Sequence, residues 1–445
     1  MLFRVLRAFR NLHRKDTMEV LRTEHREILN MLLTVGRIGG IWSAVEPPLA
    51  IQRFLYTIYG LIAKGSMWTL AATMSADIIS NSDDILAMSD AGAMLAGLSA
   101  VIAKVVVFQR HPKEIRRLIN MVYSPIDTMV MAKDGYVYGL MNFHVTVEKV
   151  IEYGWAGMAV QLVGAMLISP VIFAGGNSSL PLRSKYPFDT TDDFKHNVAL
   201  SLQIITAIFN FTAMFALDGL MRGFCRWTSF QMQILNSNFR HCDTIYSHSN
   251  QEPSAGKLTY MSDFESKINC FVLFHPTEIT RERDSFLQRF ETCIKHHQRI
   301  IVIMEGMNRV FGYYIFAEFS SSTFIMCLTG FQILLGKRST TNVIKFMLYF
   351  NAAFVHLATC CFFGQMLSNE GNKIPDSVWM SGWEKESNMS HAGYLMIIAL
   401  MRAKQIIELK ALGFYAVSME TFLMIVKSSY SVFALLTATT DEIAE

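Results

Sequence analysis

Residues 145–174 read VTVEKVIEYGWAGMAVQLVGAMLISPVIFA, and residues 197–221 read NVALSLQIITAIFNFTAMFALDGLM. Each stretch is long enough to cross a bilayer's hydrocarbon core as one helix, which takes about 20 mostly apolar residues. Neither alternates apolar and polar residues at period two, so a helix, which pairs its own backbone amides, is the spanning form. Working outward, five further runs have the same character: Leu49–Met74, Ile85–Phe108, Val310–Leu335, Val343–Leu367 and Ala411–Thr437. The expected fold class is all-α, a polytopic membrane protein with seven transmembrane helices. Composition agrees: 51% of the 445 residues are apolar and only 17% are charged, against roughly 25% charged in an ordinary soluble domain. A net charge of +3 argues against a nucleic-acid partner, and 7 cysteines, an odd number, cannot all pair.

Basic residues in short loops mark the inner side. The N-terminal segment carries Arg4, Arg7, Arg10, Arg14, Lys15, Arg22, Arg26 and Arg37, and the loop after span two carries Arg110, Lys113, Arg116, Arg117 and Lys133. The loop 75–84 and the tail after span seven have no basic residue. The N-terminus is therefore expected inside and the C-terminus outside, the reverse of a G-protein-coupled receptor. Asn177-Ser178-Ser179 is a glycosylation acceptor in a loop this topology places outside, and no cysteine falls in an outer loop. Met1–Phe9 lacks the continuous apolar core of a cleavable signal. Leu2, Phe3, Leu6, Phe9 and His13 instead share one helical face, suited either to the anionic inner leaflet, with membrane lipid as partner, or to packing on the rest of the protein.

The chain thus divides into an amphipathic inner segment (1–48), spans one to four (49–222), an inner loop with helix extensions (223–309), spans five and six (310–367), an inner helix (368–410), and a last span with a short outer tail (411–445). Apolar stripes at Phe230, Ile234, Leu235 and Phe239, and at Phe286, Phe290, Ile294 and His297, extend spans four and five beyond the membrane. The stretch from Pro375 through Lys410 does the same after span six. Such projecting helices bury their faces most economically against other subunits, so an oligomer is expected.

Enzymatic chemistry finds no support. His296-His297 lacks a Glu at metalloprotease spacing, and His241-Cys242-Asp243 with His248 is a poor metal set beside a flexible loop. Dinucleotide, P-loop and nucleophile-elbow patterns are absent, and no cofactor is expected. Asp90 and Lys104 lie within span two and make it a weaker span by hydropathy alone. Glu420 and Lys427 share nearly one face of span seven; this pair either lines an ion path or pairs with inner-region helices or a neighbouring helix. Another span-seven stripe, Phe422, Val426, Phe433, Leu436 or Thr437, then Thr440, is either core packing or an apolar gate that stops ions by losing its water.

The chain resembles the insect odorant receptors over nearly its whole length. The resemblance is carried by Gly371-Asn372, Ser377, Trp379 and Trp383, Met401-Arg402-Ala403-Lys404-Gln405, Gly413-Phe414-Tyr415, Thr421-Phe422 and Lys427-Ser428-Ser429-Tyr430-Ser431. Leu180-Pro181, Tyr186-Pro187-Phe188-Asp189 and Lys295-His296 add to it. The closing Thr-Tyr…Gln-Phe pattern of the related gustatory receptors is absent, and the chain looks like a ligand-specific tuning subunit, not the family's co-receptor. The resemblance implies a subunit of a heterotetrameric, odorant-gated, non-selective cation channel, formed with that co-receptor in the plasma membrane of a sensory-neuron dendrite. It implies a gate at Phe433, Leu436 and Thr437 on a pore-lining seventh helix. It also implies a pocket for a volatile organic ligand among spans two, three, four and six. Carried onto this chain, that pocket is Met88, Ala91, Trp155, Met158, Ala159, Leu162, Ile205, Phe209, Phe346, Tyr349 and Phe350. Apolar and aromatic walls with a few polar groups suit such a ligand.

Overall fold

Seven helices of 26 to 50 residues correspond one to one with the seven apolar runs. The computed structural model describes residues 17–41, 50–129, 134–173, 180–243, 284–335, 340–386 and 389–444, with short stretches between 265 and 279. In chain order the spans are α2 (Ala50–Ser80), α3 (Ile85–Arg110), α5 (Gly135–Phe173), α6 (Asp193–Arg240), α7 (Phe286–Leu335), α8 (Thr340–Asn372) and α11 (Met419–Ala444). Around them lie α1 (Thr17–Ile38), α4 (Pro112–Met129), the short α9 (Ile374–Trp379) and α10 (Met389–Ala403). Among the described residues, α3, α6, α7, α8 and α11 are long and apolar enough to cross a membrane by composition alone. The other two spans, α2 and α5, are 31 and 39 residues long and carry charged groups.

Local chemistry sets several helix ends. The Asp84 carboxylate accepts from the Ala87 amide at 3.0 Å, opening α3 with a side-chain cap. Asp192 does the same for α6 through the Phe194 amide. The longest helices, α6 and α7, have 48 and 50 residues, about 72 and 75 Å at 1.5 Å per residue. Both run well past the apolar runs that mark their membrane parts.

α6 is the axis of the fold. From Ala216 to Phe239 every residue is buried, on all sides of the helix. α1 lies along it through Ile28, Leu29 and Leu32, with Leu32 fully buried. α4 closes a second side: Val122 and Ile126 have no exposed surface, and Gln231 of α6 donates to the Val122 carbonyl at 2.7 Å. At the opposite end of the bundle, Gln203 of α6 binds both the amide and the carbonyl of Leu182, at 3.0 and 2.9 Å, and so ties down the 180–192 loop. Arg183 of that loop pairs with Asp77 of α2 at 2.9 Å.

Two expectations are corrected. The stretch Pro375–Lys410 is not one helix, because the chain turns at Met380–Gly382, where Gly382 has φ +78°, before a 3₁₀ turn (Trp383–Lys385) and α10. The last span does not begin at Ala411. Residues 410–416 form a hairpin of β1 (Lys410–Ala411) and β2 (Tyr415–Ala416), and α11 starts at Met419. Leu412 and Gly413 have φ of +49° and +80°, the tight-turn conformation that a helix excludes. Asn308 of α7 seats the hairpin, accepting from the Lys410 amide at 2.7 Å and donating to the Glu408 carbonyl at 2.9 Å. The Met1–His13 stripe, Asn177 and His248 lie outside the described residues.

Candidate functional site

Charged side chains buried in the middle of the bundle organise the site. Glu148 and Glu152 on α5, and Arg222 and Arg226 on α6, are each four residues apart, so each pair stacks along one helix face. Arg222 donates through Nε and Nη2 to both oxygens of Glu152, at 3.0 and 2.7 Å. Arg226 donates to Glu148 at 2.6 Å, and the Trp227 indole donates to the other Glu148 oxygen at 3.2 Å. All four charged residues are at most 5% exposed. They form a two-rung ladder that fixes the register of α5 on α6.

One turn along α6 from Arg222 sits Asp218, where four helices each contribute one ionisable group. Lys104 of α3 donates to Asp218 at 2.8 Å and pairs with Glu318 of α7 at 2.6 Å. His356 of α8 places Nε2 at 2.7 Å from Asp218 and Nδ1 against Glu318. The Tyr314 hydroxyl also donates to Asp218, and Ser322 donates to Glu318 at 3.2 Å. Isolated charges at this depth are prohibitive, whereas a set with every partner present is tolerated.

This cluster floors a cavity of about 100 Å³ between α3, α5, α6, α7 and α8. Lys104, Asp218, Arg222, Glu318 and His356 make one end of its wall; Val101, Met158, Phe211, Met214 and Ile325 make the apolar remainder. The Trp155 ring joins the two ends, edge-on to His356 at 5.1 Å and beneath the Arg222 guanidinium at 5.5 Å.

Of the residues expected to line a pocket, Trp155, Met158, Ala159 and Tyr349 line this cavity. Met88 and Ala91 lie nearer the start of α3, off the cavity lining, where Gln332 of α7 donates to Ser89 at 2.6 Å. Ala91 there has no exposed surface. On α6 the cavity face is Asn210, Met214 and Asp218, with Phe211 and Phe215 beside them. Phe209 is turned about 100° away from Asn210 and packs on Tyr59 of α2 at 5.6 Å. Ile205 is 45% exposed on the outer surface of the bundle. Phe346 is buried, and Phe350 stacks on Phe354 along a neighbouring face of α8. The side chain of Leu162 is outside those described. Sequence reasoning missed α7's contribution and the charged floor, although Lys104, Asp218, Glu318 and His356 each stand deep inside an apolar run.

Phe354 leads from α8 to the last helix, meeting Phe422 of α11 edge-on at 5.2 Å. α11 packs on its own chain through Thr421, Phe422, Ile425 and Ser429, while Leu423, Met424, Tyr430, Val432 and Leu435 stay exposed. Phe433 lies toward Gly330 of α7, and Phe433, Leu436 and Thr437 are half-buried at the edge between the two faces. At that level Leu435 is the most exposed side chain, at 65%. Glu420 and Lys427 are exposed, and among the described residues neither forms an ion pair.

The described residues contain no cluster of His, Cys, Asp and Glu able to hold a metal. His296 pairs with Glu278 at 2.8 Å. Burial pushes the Glu278 carboxyl up, but the hydrogen bond and charge of His296 outweigh it and hold it below its usual range. All 7 cysteines are free thiols.

Comparison with known proteins places this architecture. The pattern of the 7tm odorant receptor family matches residues 84–430. Putative odorant receptor 85d of Drosophila melanogaster is 29% identical over 150 residues, 34% of this chain and 36% of that protein. Odorant receptor 85c of the same fly is 27% identical over 155 residues, 35% and 38% of the two chains. These alignments span little more than a third of the relatives' length. The fold is shared with the insect olfactory receptor OR5 of Machilis hrabei, solved in complex with eugenol, at a TM-score of 0.75 and 14% identity over 93% of this chain and 98% of that one. The same receptor without eugenol gives 0.74. Enzymatic function is set aside, and this seven-helix membrane chain belongs to the 7tm odorant receptor family.

Proposed function

We propose that the chain is the odorant-binding subunit of a ligand-gated, non-selective cation channel, in which a volatile organic molecule in the cavity opens a pore lined by α11. The observation that carries this reading is the two-faced α8. Tyr349, Ala352, Ala353 and His356 line the cavity, while Phe354 on the neighbouring face touches Phe422 of the last helix. A ligand that shifts α8 therefore shifts α11 through a packed aromatic contact. The exposed face of α11 supports a place at a subunit interface or pore, since it carries Glu420, Lys427, Ser428 and Ser431, and ionisable groups within a span rarely face lipid.

In this reading the subunit joins a co-receptor in a heterotetramer of the plasma membrane of a sensory dendrite, its N-terminus inside and Asn177 outside and glycosylated. Phe433, Leu436 and Thr437 set the constriction. Whole-cell recording tests it, with a broad panel of volatiles applied to cells expressing the chain with and without an insect co-receptor. Fast cation current only in the presence of both is the expected result. Current from the chain alone would replace the heteromer with a homomeric channel. Second-messenger signalling without current would replace the channel with a G-protein-coupled receptor.

A further inference from the structure

We infer that the cavity selects a neutral volatile bearing a hydrogen-bond-accepting oxygen, a ketone, aldehyde or ester, whose oxygen meets Arg222 and Asn210 while its hydrocarbon part lies against Val101, Met158, Phe211 and Ile325. This deepens the reading above and rests on the cavity being the ligand site.

The first argument is a charge count. Five ionisable side chains line the cavity: Lys104, Asp218, Arg222, Glu318 and His356. Both ring nitrogens of His356 face carboxylate oxygens, one on Asp218 and one on Glu318. A neutral imidazole has one N–H and one acceptor nitrogen, so this arrangement holds one proton more than a neutral histidine between two ionised carboxylates. With that proton and the Lys104 ammonium, the four-helix cluster sums to zero. Arg222 is neutralised by Glu152 and, below it, Arg226 by Glu148. A charged ligand would enter this floor with nothing left to balance it, at the full cost of a buried unpaired charge.

The second argument is which polar groups remain unused. Both Asp218 oxygens are engaged, one by Lys104 and Tyr314, the other by His356. Glu318 is engaged by Lys104, His356 and Ser322, and both Glu152 oxygens are taken by Arg222. Asp218 and Glu318 thus hold three donors each, and Glu152 holds the Arg222 fork. Donors do remain. Arg222, 5% exposed, uses Nε and Nη2 on Glu152 and leaves Nη1 without an acceptor among the described residues. Asn210 lines the same cavity, and its side-chain oxygen is shielded from solvent without a partner. The carboxamide carries two N–H donors at its other end, which rotation about its last side-chain torsion would bring to a ligand oxygen. An idle guanidinium N–H at the floor favours a ligand that brings an acceptor oxygen over one that brings hydrocarbon alone. A hydrogen bond to a charged donor in such a site favours the oxygenated molecule over its hydrocarbon analogue by roughly 10- to 100-fold.

The test uses the full-length chain purified into lipid nanodiscs, with ligand-dependent thermal stabilisation as the readout at matched free concentrations. The probes are the pairs n-octane and 2-octanone, and ethylbenzene and acetophenone, with octanoate and octylamine as charged controls. Each ketone should bind about 10-fold or more tighter than its hydrocarbon partner and tighter than either ion. Arg222→Lys keeps the charge facing Glu152 but puts one nitrogen where the guanidinium had three; it should lower ketone binding more than hydrocarbon binding and so shrink the ketone advantage. Asn210→Leu supplies the same comparison if Arg222→Lys does not fold. Equal binding within pairs, preference for an ion, no stabilisation by any probe, or equal losses for both members of a pair would overturn the inference. Ketone-selective binding without current in co-receptor cells would instead sink the channel reading alone.

Discussion

Replacing Lys104 with Met isolates the electrostatic role of the floor. Lys104 is 1% exposed and touches Asp218 at 2.8 Å and Glu318 at 2.6 Å. At an effective dielectric of 20, each contact is worth about 6 kcal/mol of Coulomb attraction. Removing the ammonium loses both contacts, and burying Lys104 had itself cost several kcal/mol, which the variant recovers. What remains is one excess negative charge on two buried carboxylates. Breaking a buried pair from one side costs about 3–5 kcal/mol, and two orphaned contacts place Lys104→Met at the upper end. Adding Asp218→Asn restores neutrality, leaving His356 opposite Glu318. The double variant should therefore regain at least about 2 kcal/mol relative to the sum of the single variants. Thermal unfolding of the nanodisc-embedded chain, with delivery to the cell surface as a parallel readout, gives the cycle. An unperturbed Lys104→Met protein, or strictly additive losses, would refute the claim that charge balance holds this floor together.

Two further outcomes follow from other parts of the molecule. At Gly364 of α8 an added Cβ would lie 2.3 Å from the Val417 carbonyl oxygen. Gly364→Ala should therefore dislodge the segment entering α11 at a cost of about 1–3 kcal/mol and depress current per surface receptor, while Gly154→Ala, with open space around it, serves as the neutral control. Burial, and secondarily Arg402, pushes the His297 imidazole down to about 4, below the 6.5 of an unburied histidine. Because the unfolded chain takes up the proton first, this contribution is intact above pH 6.5 and is lost as pH falls toward 4. Acidification from pH 7.5 to 5 should destabilise the protein by roughly 2 kcal/mol more than it does a His297→Leu variant, as melting curves across that range would show.

The membrane architecture was legible because hydrophobic length is a local property. Each of the seven apolar runs needs only its own 20 or so residues to be recognised. The hairpin at 410–416 was not legible, since Ala411-Leu412-Gly413-Phe414 is apolar enough to pass for a helix start and its geometry depends on Asn308, about a hundred positions away. The cavity was read in part. Trp155, Met158, Ala159 and Tyr349 fall where position along the helices suggested, but Phe209 and Asn210 are adjacent in sequence and point to different neighbours. That distinction is rotational and belongs to packing, not composition. The floor left a readable trace that composition dilutes: Asp218 and Glu318 are the lone ionisable Asp, Glu, Lys or His of their apolar runs, and Lys104 and His356 share theirs with just Asp90 and Lys345. Their mutual contact, with separations of 38 to 138 positions for the His356 pairs, had to come from the fold.

The position of Asp218 along α6 carries a mechanical consequence. It lies 25 residues from one end of that helix and 22 from the other, which at 1.5 Å per residue gives arms of about 38 and 33 Å. Lys104 and His356 hold the helix near its midpoint, so a rigid tilt of α6 about that point would be shared between the two arms. A tilt of about 3° displaces the two tips by roughly 2 Å in opposite directions while the ion contacts at the pivot scarcely lengthen. A ligand lodged beside the pivot would need to move its neighbours very little for the far ends of the rod to register its arrival.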